Sequence, residues 1–175
     1  EAVRETTSGP GRMIVHARRA PSPVAVLYSK RNMFAATVAG QLVDQQPWAG
    51  DNNFRIQHEN MLKALFDLGY DPTHISEAQL SEGVGPDDYR VLVLPLATCL
   101  SDAEVASLRR YVEAGGTLIA DGRVGILTGD GAFRETRPLD DVFGVSTPAG
   151  AEGFIAEGAS GEMAAGFSAH LLEPN

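Results

Sequence analysis

The feature that most constrains this sequence is a set of four short segments with the character of buried strands, separated by segments with helical periodicity. Short runs of aliphatic residues without polar alternation are typical of strands that are covered on both faces. Strands that alternate with helices are joined by crossover connections, which place the strands in a parallel sheet. The sequence therefore predicts an α/β domain. The four segments are Val24–Tyr28, Thr73–Ser76, Val91–Leu94 and Thr117–Ala120.

Apolar residues recur at helical spacing between the predicted strands. One helix is predicted over Asn32–Asp44 and a second over Phe54–Leu68, which Gly69 ends. A third begins at Ser101, because Ser101 and Glu104 have the spacing of a capping box, in which each side chain binds an amide of the first turn. The residues expected on the packed faces are Phe34, Val38 and Leu42 in the first helix, Phe54, Met61, Leu62, Leu65 and Phe66 in the second, and Val105, Leu108 and Val112 in the third.

Segments without clear periodicity define the expected domain organisation. Met13–Ala17 is predicted as a short strand ahead of the sheet, and Pro47–Asn53 as a polar loop that holds Trp48. Because the chain begins at Glu1 rather than at a methionine, we expect it to be excised from a longer polypeptide. The predicted organisation is a lead-in over residues 1–22, the α/β domain over residues 23–145, and a linker or the start of a following domain over residues 146–175.

Charge and composition exclude several classes of function. The net charge of −9, from 23 acidic and 14 basic residues, repels phosphate backbones, so we expect no nucleic-acid partner. No apolar run approaches the roughly 18 residues of a membrane helix, so no membrane span is predicted. Cys99 is the only cysteine, which excludes an internal disulfide and a multi-cysteine metal site.

The histidines and glycines also lack the patterns of metal and cofactor sites. The histidines at positions 16, 58, 74 and 170 match no paired-ligand motif, and His58 with Glu59 is predicted as a pair on a helix surface. We therefore expect no metal. The first strand runs into Ser29 and Lys30 without a glycine, so no phosphate cradle is predicted there and we expect no cofactor. The later glycines, from Gly122 onwards, are expected to lie in a loop.

Side chains that follow the strands are the candidates for a ligand site, because ligands bind beyond the carboxyl ends of the strands in open α/β sheets. For Asp121 and Arg123 the alternative is a salt bridge that fixes the loop. Glu77 also follows a strand. The residues predicted to bind a ligand are Ser29, Thr98, Asp121 and Arg123.

Cys99 is the one potential nucleophile at this edge of the predicted sheet. It lies shortly before the helix that begins at Ser101, a position that lowers the pKa of a thiol. A nucleophile also needs a base and a third group that orients the base, and no histidine lies in a suitable motif. We therefore interpret Cys99 as a structural cysteine and predict no catalytic residue.

The stretch from Val24 to Val145 resembles the middle domain of the β-galactosidases of glycoside hydrolase family forty-two, called the trimerisation domain. Each matching segment recurs in many α/β domains, and it is their order that carries the resemblance. The segments are Val24–Ser29, Glu59–Tyr70, Tyr89–Pro95, Leu100–Glu104, Tyr111–Asp121 and Leu139–Val145.

This resemblance implies a flavodoxin-like fold related to the class I glutamine amidotransferases, which is a three-layer sandwich with a mostly parallel sheet. It also implies a position between a catalytic barrel and a carboxyl-terminal β domain. In the amidotransferases a nucleophilic cysteine ends the strand that here leads into Asp121, whereas Cys99 lies one strand earlier. The family nucleophile is thus missing at the matching position.

Two functional hypotheses follow from the resemblance. In the first, the domain is an accessory or oligomerisation domain of a larger carbohydrate-active protein, and it associates with itself or with other domains of its parent. In the second, it is a degenerate amidotransferase-like domain that binds a small ligand or a carbohydrate at the strand ends. Trp48 and Phe54, if exposed, suit a contact surface. The alternative is that both residues pack on the domain's own core.

Overall fold

The computed structural model describes residues 8, 10–17, 21–44, 49–121, 123–146 and 162–163. Its centre is a four-stranded sheet in which all neighbouring strands are parallel, in the order β2-β1-β3-β4. In this register Val26 lies between His74 and Val93. The predicted strands and their parallel pairing are confirmed. The strands are β1 (Val24–Tyr28), β2 (Thr73–Ser76), β3 (Val91–Leu94) and β4 (Thr117–Ala120).

Helices connect these strands, and a short antiparallel ladder follows them. The ladder pairs β5 with β6. The helices are α1 (Pro10–His16), α2 (Lys30–Asp44), α3 (Ala49–Asp67), α4 (Glu77–Glu82), α5 (Asp102–Glu113) and α6 (Asp140–Phe143), and the ladder strands are β5 (Val145–Ser146) and β6 (Glu162–Met163). Among the described residues, none of these helices has the length and apolar character to cross a bilayer.

The sheet separates two hydrophobic clusters, because successive side chains of a strand point to opposite faces. The larger cluster joins one face of the sheet to α4 and α5, and the smaller joins the other face to α3. The domain therefore has three layers, as predicted. The larger cluster includes Ala25, Leu27, Leu92, Leu94, Leu80, Leu108 and Tyr111, and the smaller includes Val24, Val26 and Val93 with Met61, Leu62 and Leu65.

The amino-terminal segment differs from its prediction as a strand. Met13–Ala17 falls largely within α1, where Met13, Ile14 and Val15 are 75–78% exposed. A strand must find a partner for its backbone amides and carbonyls, whereas a helix satisfies its own. Among the described residues no strand pairs with this segment, and three consecutive apolar residues did not suffice to make one.

The helices around β2 also differ from the sequence analysis. Residues 49–53 belong to α3 rather than to a polar loop, and Trp48 lies outside the described residues. The helix α4 was not predicted, although Ser76 and Gln79 form a second capping box at its start. Phe34 is exposed instead of packed. Val38 and Leu42 belong to the part of α2 whose side chains are not described.

The predicted capping box of α5 is present. The Oγ of Ser101 accepts a hydrogen bond from the Glu104 amide, and the Glu104 carboxylate accepts one from the Ser101 amide at 2.5 Å. Both bonds satisfy amides that have no partner within the helix.

Replacing Ser101 by alanine should lower the free energy of unfolding by about 1 kcal/mol, because a first-turn amide loses its acceptor. Urea denaturation followed by circular dichroism measures the change. Ser101→Asn keeps an acceptor at the same position and should stay within about 0.5 kcal/mol of the parent. Equal stabilities of the parent and of Ser101→Ala would contradict the prediction.

Candidate functional site

The carboxyl edge of the sheet holds a network of polar side chains that begins at Ser29. This residue follows β1 and is buried. Its Oγ donates to Oε1 of Glu77 at 2.5 Å and accepts from the backbone amide and Nδ2 of Asn32 at 3.0 and 2.7 Å. The start of α2 is thereby tied to the start of α4, on the two neighbouring strands β1 and β2.

Asn32 extends this network to the connection between β3 and α5. Its Oδ1 accepts from the Cys99 amide at 2.6 Å and from Oγ1 of Thr98 at 3.2 Å, and its Nδ2 donates to the Cys99 carbonyl at 3.1 Å. With the bond to Ser29, both donors and both acceptor positions of the amide are used. The structure thus brings Ser29 and Thr98 together, and the residue that joins them is Asn32, which the sequence analysis did not single out.

Arg31 and two glutamates form the charged part of the same edge. Nη1 of Arg31 lies 2.6 Å from Oε2 of Glu104, and Nη2 lies 3.9 Å from Oε2 of Glu77. Glu104 is almost fully buried, and its Oε1 has no partner among the described residues. Burial opposes the charge of Arg31, but the two carboxylates outweigh burial and raise its pKa. A permanent positive charge therefore holds Glu104 at the start of α5.

Asp121 and Arg123, the other predicted ligand residues, follow β4. The Asp121 carboxylate accepts from the Leu96 amide at 2.8 and 2.9 Å. Burial raises the pKa of Asp121, although the amide of Leu96 acts in the opposite direction, and burial lowers the pKa of Arg123. The carboxylate is therefore joined to the β3–α5 connection. The predicted pairing of Asp121 with Arg123 stays a prediction.

Cys99 is buried and its thiol lies within the fold. Its Sγ donates to the Thr128 carbonyl at 2.8 Å. Burial raises the pKa of the thiol, and the nearby Arg31 only partly offsets this effect. A thiol that is held protonated and away from solvent is a poor nucleophile. This environment supports the interpretation of Cys99 as a structural cysteine.

A second cluster, of aromatic and imidazole rings, lies where α3 meets β1 and β2. His58 stacks on Phe54 with ring centroids 6.0 Å apart, its centroid is 5.2 Å from that of His74, and Tyr28 stands edge-on to it at 5.4 Å. His58 is buried, so its prediction as a surface residue is wrong. The two alternatives for Phe54 were exposure at a contact surface and packing on the domain's own core. Phe54 is buried, so it packs on the core.

Three of these rings border an open groove of about 440 Å³. The sequence analysis missed the cluster because its members come from three separate elements. The sequence offered one partial signal, because alternation along β1 places Tyr28, Val26 and Val24 on one face of the strand. That His74 lies beside them follows only from the register, in which His74 pairs with Val26. In the described part of the chain, no three histidine, cysteine or acidic side chains are grouped to hold a metal ion. The groove is lined by Tyr28, His58, His74, Ile75, Ser76 and Gln79.

A comparison with known protein families gives a match that covers most of the described domain. The model of the family described as the β-galactosidase trimerisation domain matches residues 22–150. The chain belongs to this family. A comparison with the sequences of curated proteins gives no significant match.

Solved structures of β-galactosidases share the fold of this trimerisation-domain chain. The enzyme from Bacillus circulans sp. alkalophilus is 19% identical with a TM-score of 0.62, over 77% of this chain and 19% of that one. The enzyme from the Antarctic haloarchaeon Halorubrum lacusprofundi is 20% identical with a TM-score of 0.59, over 75% of this chain and 18% of that one. The enzyme from Bifidobacterium adolescentis is 21% identical with a TM-score of 0.50, over 65% of this chain and 46% of that one. The chain thus spans less than half of each relative.

Proposed function

We propose that this chain is an assembly domain of a larger carbohydrate-active protein, in which it associates with further copies of itself and performs no chemistry. The observation that carries the proposal is membership of the β-galactosidase trimerisation domain family over residues 22–150. A trimer is the expected assembly, and a β-galactosidase is the expected parent.

The carboxyl edge of the sheet supports a structural role for its polar side chains. The hydroxyls of Ser29 and Thr98 are already bound to Glu77 and Asn32. A ligand there would have to displace bonds that hold three strands together, which costs about 1 kcal/mol or more for each bond lost. The ligand-binding role of these residues, with Asp121 and Arg123, remains a separate prediction.

Exposed aromatic side chains on the helices supply apolar area for association. Phe34 on α2 and Phe66 on α3 are 62% and 54% exposed. Aromatic residues contribute strongly to protein interfaces, because they bury a large area at a small cost in side-chain entropy. Both were expected to face the domain's own core, so their exposure supports a surface that another chain covers.

Sedimentation of the purified chain should show concentration-dependent association, with a trimer as the largest species at about 50 µM, where micromolar interfaces are occupied. Phe66→Ser should weaken this association, because it removes exposed apolar area from α3. Phe133→Ser, which changes an equally exposed aromatic residue in the loop after β4, is the matched control. A strictly monomeric chain at this concentration would contradict the proposal.

Activity assays on the same preparations test the absence of chemistry. The chain should not hydrolyse a chromogenic β-galactoside, whereas a longer protein that also carries a catalytic domain should. Hydrolysis by the chain alone, abolished by Cys99→Ala while circular dichroism stayed unchanged, would show that the domain is catalytic.

A further inference from the structure

The ring cluster around His58 contains a buried imidazole with one unpaired ring nitrogen. We call the four rings of Tyr28, Phe54, His58 and His74 the imidazole box. The His58 ring stacks on Phe54, with ring planes 18° apart, and is tilted by 30° against the ring of His74. It is 7% exposed, and its Nε2 has no hydrogen-bond partner among the described residues. The box therefore accommodates His58 in its neutral form.

The charged groups near His58 do not favour a positive charge on its ring. The side chains next to His58 from the sheet are His74 on β2 and the phenol ring of Tyr28 on β1. On α3 itself the nearest carboxylate is Glu59, which is paired with Arg55 at 3.2 Å. On α2, which packs along α3, the described charged side chains are the cations Lys30 and Arg31. Burial, followed by the proximity of His74, lowers the pKa of His58, and Glu59 only partly opposes this.

The position of the box determines what protonation would disturb. Phe54 and His58 anchor the amino-terminal half of α3 to the sheet, whereas Met61, Leu62 and Leu65 anchor its carboxyl-terminal half to Val24, Val26 and Val93. The second set contains none of the four rings of the box.

We propose that the imidazole box is an acid-sensitive latch, in which protonation of His58 releases the amino-terminal half of α3 from the sheet. Above pH 6.5, the ordinary pKa of histidine, His58 is neutral in both states and the latch is closed. Below this pH the His58 imidazole takes up a proton in the released state but not in the docked state. Its population relative to the docked state therefore rises by up to about tenfold for each pH unit, until the lowered pKa of the docked state is reached.

Hydrogen exchange of the full chain, read by mass spectrometry, tests the latch. After correction for the intrinsic exchange rate, protection of peptides within residues 54–60 should fall by up to about fivefold between pH 6.5 and 5.5, because the released state is already about half protonated at pH 6.5. Peptides of β3 should keep their protection. In His58→Phe, whose ring fits the stack but cannot titrate, the pH dependence should disappear. His16→Gln, which changes an exposed histidine on α1, should behave as the parent does.

Two outcomes would overturn the latch. One is equal pH dependence of exchange in the parent and in His58→Phe. The other needs no variant: an NMR titration of the parent in which the His58 imidazole of the docked state gains its proton at or above pH 6.5. The NMR titration decides the question even if His58→Phe does not fold.

Discussion

Replacing Asn32 by alanine should lower the free energy of unfolding by about 3 kcal/mol, because the substitution leaves several buried groups without partners. The Cys99 amide loses its acceptor at 2.6 Å and the Cys99 carbonyl loses a donor. Ser29 loses the donor that lies 2.7 Å from its hydroxyl. Each buried polar group that is left unpaired costs about 1–3 kcal/mol, and part of this cost is recovered when neighbours or water rearrange.

Urea denaturation measures this loss as a lower midpoint at an unchanged slope. Asn60→Ala is the matched control, because Asn60 is exposed on α3 and should change the stability by less than about 0.5 kcal/mol. If Asn32→Ala and Asn60→Ala unfolded at the same urea concentration, Asn32 would not be the residue that joins the strand ends. A large loss would show that this edge of the sheet is built for rigidity.

Leu108→Ala should lower the free energy of unfolding by about 3 kcal/mol, within the 2–5 kcal/mol typical of buried leucines. Leu108 lies on α5 and is fully buried in the larger cluster, between the helix and the sheet. The substitution removes apolar contacts and leaves a cavity that the surrounding strands and helices cannot close completely. Thermal unfolding, monitored by circular dichroism, provides a second measurement.

The control for this substitution is Leu68→Ala, just beyond the end of α3. Leu68 is 72% exposed, so truncation removes little buried area and should cost less than about 0.5 kcal/mol. Similar losses for the two variants would contradict the assignment of Leu108 to the core. Because Leu108 lies in the larger cluster and His58 lies beside the smaller one, the Leu108 effect should not depend on pH in the manner of the latch.

The sequence by itself determined the features that depend on neighbouring residues. Val91–Leu94 is a buried strand because a short run of aliphatic residues has no polar face to present to solvent. Ser101 starts α5 because the capping box is formed entirely within one turn. Gly69 ends α3 because its φ of 84° is unfavourable for residues with a Cβ. The ordered set of such segments also carried the family resemblance, which the match to residues 22–150 confirms.

Only the tertiary structure decided which distant side chains meet. Asn32 and Cys99 are 67 positions apart, and nothing in either local pattern indicates that one satisfies the other. His58 was expected to form a pair with Glu59 on a helix surface. The sheet instead places Tyr28 and His74 against it, and burial among rings changes its pKa. Local patterns determine the elements, but the pairing of faces depends on how the strands are ordered, and that order is a property of the folded chain.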